Sequence, residues 1–254
     1  MSATSPWTPL TVAPDSCVRW TAGSLTLWVA RAPGEWRIAS RIGPEPLATD
    51  VGLESIDAIP DDLEATRFAA SGGDTLSLAP RLADRSVVAR PESKLYVTER
   101  ACFFVSTPVW LQVSVQDGPT LLELPTWRPS DTWFGPSPTS GALAYASRTR
   151  GRVRPDALAP SPVRAITRVE IQDDAPTPLV IERINLPVPE LSLFDAGGTL
   201  WTTSVRLHRR ADGETADVQL VAGPPADHPD ATLVAGPRQA APGTLRRALS
   251  ALIG

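Results

Sequence analysis

The chain has 254 residues, a net charge of −4 and 42% hydrophobic residues. That is enough length for a core in one large β domain or two smaller ones, and too apolar for a disordered polymer. No apolar run nears the roughly 18 residues of a membrane-spanning helix. The start, Met1 to Pro6, has neither the basic flank nor the apolar stretch of a secretory signal, so a cytoplasmic protein is expected.

In chain order, the dominant pattern is apolar alternation with a period of two, broken by turn residues. Residues 24–31 and 35–42 flank Pro33-Gly34, and a two-residue loop sets Val29 opposite Ile38 and Leu25 opposite Ile42. Residues 66–70 and 75–79 read as a hairpin with a three-residue loop, Phe68 facing Leu78. Strands are expected at 86–90, 94–98 and 101–106. Asp117-Gly118 joins 109–116 to 119–124, with Val113 facing Leu122. Further strands are expected at 163–172 and 178–186. A three-residue loop, Ala196 to Gly198, sets Leu193 opposite Trp201. Asp212-Gly213 joins 201–210 to 215–222, with Val205 facing Leu220 and His208 facing Asp217. Residues 61–66 read as one helical turn. Residues 244–253 read as an amphipathic helix with Thr244 as N-cap and Leu245, Ala248, Leu249, Leu252 and Ile253 on one face.

The expected fold is therefore mostly β, one extended or two consecutive antiparallel β-sandwich-like units with a short C-terminal helix. Residues 1–126 form the N-terminal unit and 163–222 the second β unit. Between them, 127–162 is a Pro/Trp/Arg-rich crossover or loop in which 141–147 can supply a short strand. Residues 223–254 are a Pro/Gly/Ala-rich tether and the helix.

Catalytic material is sparse. Cys17 and Cys102 read as small buried residues. His208 is explained by its cross-strand Asp217, and His228 sits in a turn-like linker. There is no G-x-S-x-G elbow, no P-loop and no H-E-x-x-H, so no cofactor and no metal are expected. The adjacent pairs Asp61-Asp62 and Asp173-Asp174 suit turn capping better than acid–base work. Lys94 is the only lysine; every other basic side chain is arginine.

Two features carry binding chemistry. The first is the loop Trp133-Phe134-Gly135-Pro136-Ser137-Pro138-Thr139-Ser140-Gly141, with Trp127 before it and Tyr145 after it. It joins aromatic anchors to rigid prolines. The second is charge asymmetry. Residues 45–64 hold seven acids and no base, whereas Arg148, Arg150, Arg152 and Arg154 are followed by Arg164 and Arg168. The binding residues expected are Trp127, Trp133, Phe134, Tyr145, Arg148, Arg150, Arg152 and Arg154. The function they point to is a non-enzymatic binding or accessory protein contacting another protein or itself. The alternatives are an enzyme or binding protein for a carbohydrate or phosphorylated small molecule, with Arg148 or Arg150 orienting the anion, and nucleic-acid contact through Arg148–Arg168. The acidic chain weighs against nucleic acid, and a membrane surface is open only to the 244–253 tail. The run Trp133-Phe134-Gly135 to Gly141, with Val169-Glu170-Ile171 and the stretch Ile181 to Pro187, resembles prokaryotic families of unknown function. That resemblance implies no activity and no catalytic residues.

Overall fold

The computed structural model describes residues 5–44, 51–69, 73–240, 245–248 and 253. Strands in chain order are β1 (Leu10–Thr11), β2 (Cys17–Ala22), β3 (Leu25–Ala32), β4 (Glu35–Ile42), β5 (Val51–Ile56), β6 (Thr66–Ala69) and β7 (Thr75–Arg81). There follow β8 (Val87–Pro91), β9 (Leu95–Val97), β10 (Arg100–Pro108), β11 (Trp110–Val115), β12 (Thr120–Pro125), β13 (Ser130–Ser137) and β14 (Ser140–Gly151). The last are β15 (Arg164–Asp173), β16 (Leu179–Ile181), β17 (Ile184–Leu186), β18 (Leu193–Ala196), β19 (Thr199–Thr202), β20 (Ser204–Arg209), β21 (Thr215–Val221), β22 (Thr232–Ala235) and β23 (Leu245–Ala248). Among the described residues the only helical turns are 3-10 turns at Pro155–Ala157 and Val188–Glu190. The protein is almost entirely β.

Two compact units divide the chain, and they are not consecutive. One holds Met1–Arg81 and Pro108–Arg128; the other holds Leu82–Thr107 and Pro129–Gly254. The stretch 82–107, expected in the N-terminal unit, belongs with the C-terminal half because β8 pairs with β14 and β17.

The first unit has two antiparallel sheets, ordered β5-β2-β3-β4-β6 and β1-β7-β11-β12. Alternation sets the registers. Val29 lies opposite Ile38 and Leu25 opposite Ile42. Leu25, Leu27 and Val29 are fully buried, each worth about 1.5–3 kcal/mol of burial. A one-residue slip would turn all three outward. In the other sheet Val113 faces Leu122 and Leu111 faces Leu124. The hairpin expected across 66–79 does not form. β6 pairs with β4, setting Phe68 against Trp36, while β7 lies between β1 and β11 in the other sheet. β6 is a largely exposed edge strand that needs one neighbour, whereas β7 buries Leu76 and Leu78 between two. The loop residues 70–72 lie outside the described residues, as do Glu45 and Asp50 of the acidic run.

In the second unit an eight-stranded sheet is centred on β15, flanked in parallel by β19 and β20. Parallel neighbours need a long crossover, here residues 174–198. The strand pattern of 163–172 is observed, with Ala165, Thr167, Val169, Ile171 and Asp173 on the buried face. Hairpin β20–β21 pairs Val205 with Leu220 and His208 with Asp217. The loop between β18 and β19 has two residues, not three. Gly197 and Gly198 both take positive φ (64° and 91°), the conformation of a tight two-residue turn, so Leu193 faces Thr202 and Phe194 faces Trp201. Two further corrections concern the C-terminal stretch. β22, inside the expected tether, pairs with β18. Residues 245–248 are a strand, not a helix, because the open edge of β21 supplies the hydrogen bonds a ten-residue helix cannot secure alone. Thr244, Leu249 and Leu252 lie outside the described residues, and Ile253 is buried beside Ile184. No helix among the described residues is long and apolar enough to cross a membrane.

Candidate functional site

The segment expected as a crossover, 127–162, is largely the long hairpin β13–β14, in a sheet ordered β13-β14-β8-β17. Its glycines explain its tip. A Cβ on Gly135 would run into the Ser140 backbone, and one on Gly141 would meet Trp133 Nε1 at 2.8 Å. The two strands therefore close over each other, and the indole is fixed by donating from Nε1 to the Ser137 carbonyl at 2.9 Å. Trp133 faces Leu143 across the pair, and both are exposed, at 44% and 48%. Phe134 points the other way and is buried with Val88 and Ala144. Tyr145 is buried and donates to Asp84 at 3.0 Å, with Arg85 over its ring. Burial, reinforced by the Asp84 hydrogen bond, raises the phenol above its ordinary pKa. Trp127 is buried in the other unit, so it is not part of this group.

The arginines separate sharply. Arg148 is exposed on β14. Arg152 pairs with Glu92, and Arg154 with Asp156. Downstream, Arg164 donates to Ser106 and Thr149, and Arg168 to Glu170 and Asp227. Arg150 differs. The parallel pairing of β8 and β14 sets it beside Arg90. These two line a cleft of about 440 Å³ together with Lys94, Arg183, Glu92 and Glu182. Lys94 holds Glu182 at 2.7 Å, and that contact, with Arg90 and Arg183 nearby, keeps the Glu182 carboxyl below the usual range. The Arg183 guanidinium rests 4.9 Å from the Phe134 ring centroid. Sequence reasoning found Arg150 and noted Lys94 as the sole lysine, but missed Arg90 and Arg183. A parallel pairing across some sixty residues leaves no local signal in the sequence.

The acidic run makes its contacts differently. Glu54 pairs with Arg19 and Asp62 with Arg41, inside the first unit. There Arg37 and Arg67 are also cross-strand neighbours, on β4 and β6, and Glu35 bridges both at 2.6 Å. Those two hydrogen bonds, Arg67 first, hold the Glu35 carboxyl low.

The groups that sequence reading weighed for catalysis have structural partners. His208 faces Asp217 in register but bonds Asp174 through Nε2, while Asp217 is taken by Arg210. Arg210 takes the carboxylate opposite His208, and Asp174 takes the imidazole. His228 packs against the buried Trp201, ring centroids 4.6 Å apart and planes tilted by 53°. Asp173 caps a turn, accepting from the backbone N–H of Ala175 and Leu179, and forms a buried ion pair with Arg209. Burial raises the pKa of both thiols, Cys17 and Cys102.

No curated protein and no solved structure matches the chain. A family match does cover residues 6–253, nearly the whole length, and its description is "Protein of unknown function (DUF432)". The chain belongs to the DUF432 family.

Proposed function

We propose that this protein is a non-enzymatic binding protein and that the β13–β14 hairpin is where it contacts another protein chain. The observation that carries this reading is the exposed pair Trp133–Leu143 on the edge hairpin of its sheet. Tryptophan is the side chain most enriched among residues that dominate interface energies. This indole is already locked to Ser137, so little side-chain freedom is lost on contact. The structural occupation of His208, His228 and Asp173 supports binding over catalysis.

The test is a photo-crosslinking side chain placed at position 143 of the full chain, used in the cells that make it. One adduct of defined mass, a second copy included, that disappears in Trp133→Ala supports the reading. No adduct, together with a monomer by sedimentation, contradicts it.

A further inference from the structure

The only lysine of the chain lies in the same cleft as three arginines. Arg90 and Arg150 are direct neighbours across β8 and β14. Among the described residues neither guanidinium makes a hydrogen bond or an ion pair. Like charges set side by side across strands repel and destabilise the pairing. The chain deals with the same problem elsewhere by its own means: Glu35 bridges Arg37 and Arg67. At Arg90 and Arg150 no carboxylate among the described residues plays that part. Glu92 is drawn to Arg152, and Glu182 is drawn to Lys94.

We infer that the Arg90–Arg150 pair, with Lys94 and Arg183, binds the phosphate group of a small phosphorylated polyol. Two guanidinium forks suit the planar, bidentate recognition of a phosphate, and a lysine adds a compact point charge. Resting against Phe134 orients the Arg183 guanidinium before any ligand arrives. A volume of about 440 Å³ lies within the range of small-molecule pockets and is far too small for a duplex groove. The rest of the lining selects the remainder of the ligand. Among the described residues it includes no aromatic ring on which a nucleobase could stack, but it offers the Ser93 hydroxyl and the two carboxylates, which accept hydrogen bonds from sugar hydroxyls. Trp133 is not part of the lining, so this site and the protein-contact hairpin stand or fall separately.

The experiment is calorimetric titration of the full chain at low ionic strength with glucose 6-phosphate, inorganic phosphate and glucose. Glucose 6-phosphate binds, inorganic phosphate binds more weakly, and glucose gives no heat. Arg90→Ala and Arg150→Ala each weaken glucose 6-phosphate by about tenfold or more, the scale of one lost charge-assisted contact. Arg41→Ala, which removes an exposed arginine from the other unit, leaves the affinity unchanged. Glu182→Gln strengthens inorganic phosphate and narrows its gap from the sugar ester, which separates a phosphate-only site from one that also reads hydroxyls. The inference is overturned if glucose 6-phosphate gives no heat, if it binds equally well without Arg90 or Arg150, or if an oligonucleotide binds through these arginines while the sugar phosphate does not.

Discussion

Two pairs of strands in this molecule bring arginines side by side, and they differ in one respect. On β4 and β6, Arg37 and Arg67 share the Glu35 carboxylate. On β8 and β14, Arg90 and Arg150 are direct neighbours, and no carboxylate among the described residues bridges them. The first arrangement is a closed structural unit: two cations, one anion, solvent around them. The second leaves two cations lining a cleft with two more cations, Lys94 and Arg183, and with Glu92 and Glu182 drawn to Arg152 and Lys94. A cross-strand arginine pair thus reads as structure where the chain supplies the anion and as a binding site where it does not.

The comparison can be sharpened at the buried end of the series. Arg209 is buried, and its partner Asp173 also caps two backbone N–H groups. Asp173→Ala is expected to cost about 3–5 kcal/mol, because a buried cation is left without its anion. Urea unfolding measures this, and a loss under 1 kcal/mol contradicts the reading. A middle case tests the hairpin rather than the charges. Gly135→Ala forces a methyl into the Ser140 backbone and is expected to cost roughly 1–3 kcal/mol, as overpacking does. Loss of the fixed indole environment, followed by tryptophan fluorescence, should accompany it.

The smaller effects separate the two arginine pairs directly. Arg90→Glu gives the β8–β14 pair the internal anion that Glu35 provides elsewhere. It is expected to stabilise the unliganded protein by about 0.2–1 kcal/mol, the size of a favourable cross-strand pair, and to abolish sugar-phosphate binding. Glu35→Gln should lower the melting temperature slightly at low salt and not at high salt, because the pair is screened. The pH dependence has a definite sign. Glu35 has a lowered folded-state pKa, so its contribution is present above the unfolded value near 4.3 and is lost as pH falls through the lower folded value. Wild type and Glu35→Gln should therefore converge in acid. A difference that persists at low pH points to a role for Glu35 other than charge.

How much of this was legible in the sequence follows from the range of each contact. The hairpins β3–β4 and β20–β21 are readable residue by residue, since a turn and a period of two leave one register that buries the apolar set. In β11–β12 the pairs Val113–Leu122 and Leu111–Leu124 are readable, but a register shift after Val113 sets Ser114 opposite Thr120, so the expected two-residue Asp117-Gly118 loop does not form. Alternation alone predicts a β18–β19 turn one residue longer than the observed one, because it does not show that both glycines adopt positive φ. The strand at 245–248 was read as a helix because Leu245, Ala248 and the residues after it repeat at helical spacing; the sheet edge that recruits it lies about thirty residues earlier. For the site, Arg150 and the Trp133 hairpin were legible as unusual composition. Arg90 and Arg183 were not, since the pairing of β8 with β14, the pairing of β17 with β8 and the Phe134 contact, all long-range, bring them to Arg150.

The most direct test of the arginine-pair account is the melting temperature of the full chain, with and without glucose 6-phosphate, in wild type and in Arg90→Glu. Ligand that binds only the folded state raises the midpoint. The account predicts an upward shift in wild type and none in Arg90→Glu. An equal shift in both proteins, or no shift in wild type, contradicts it.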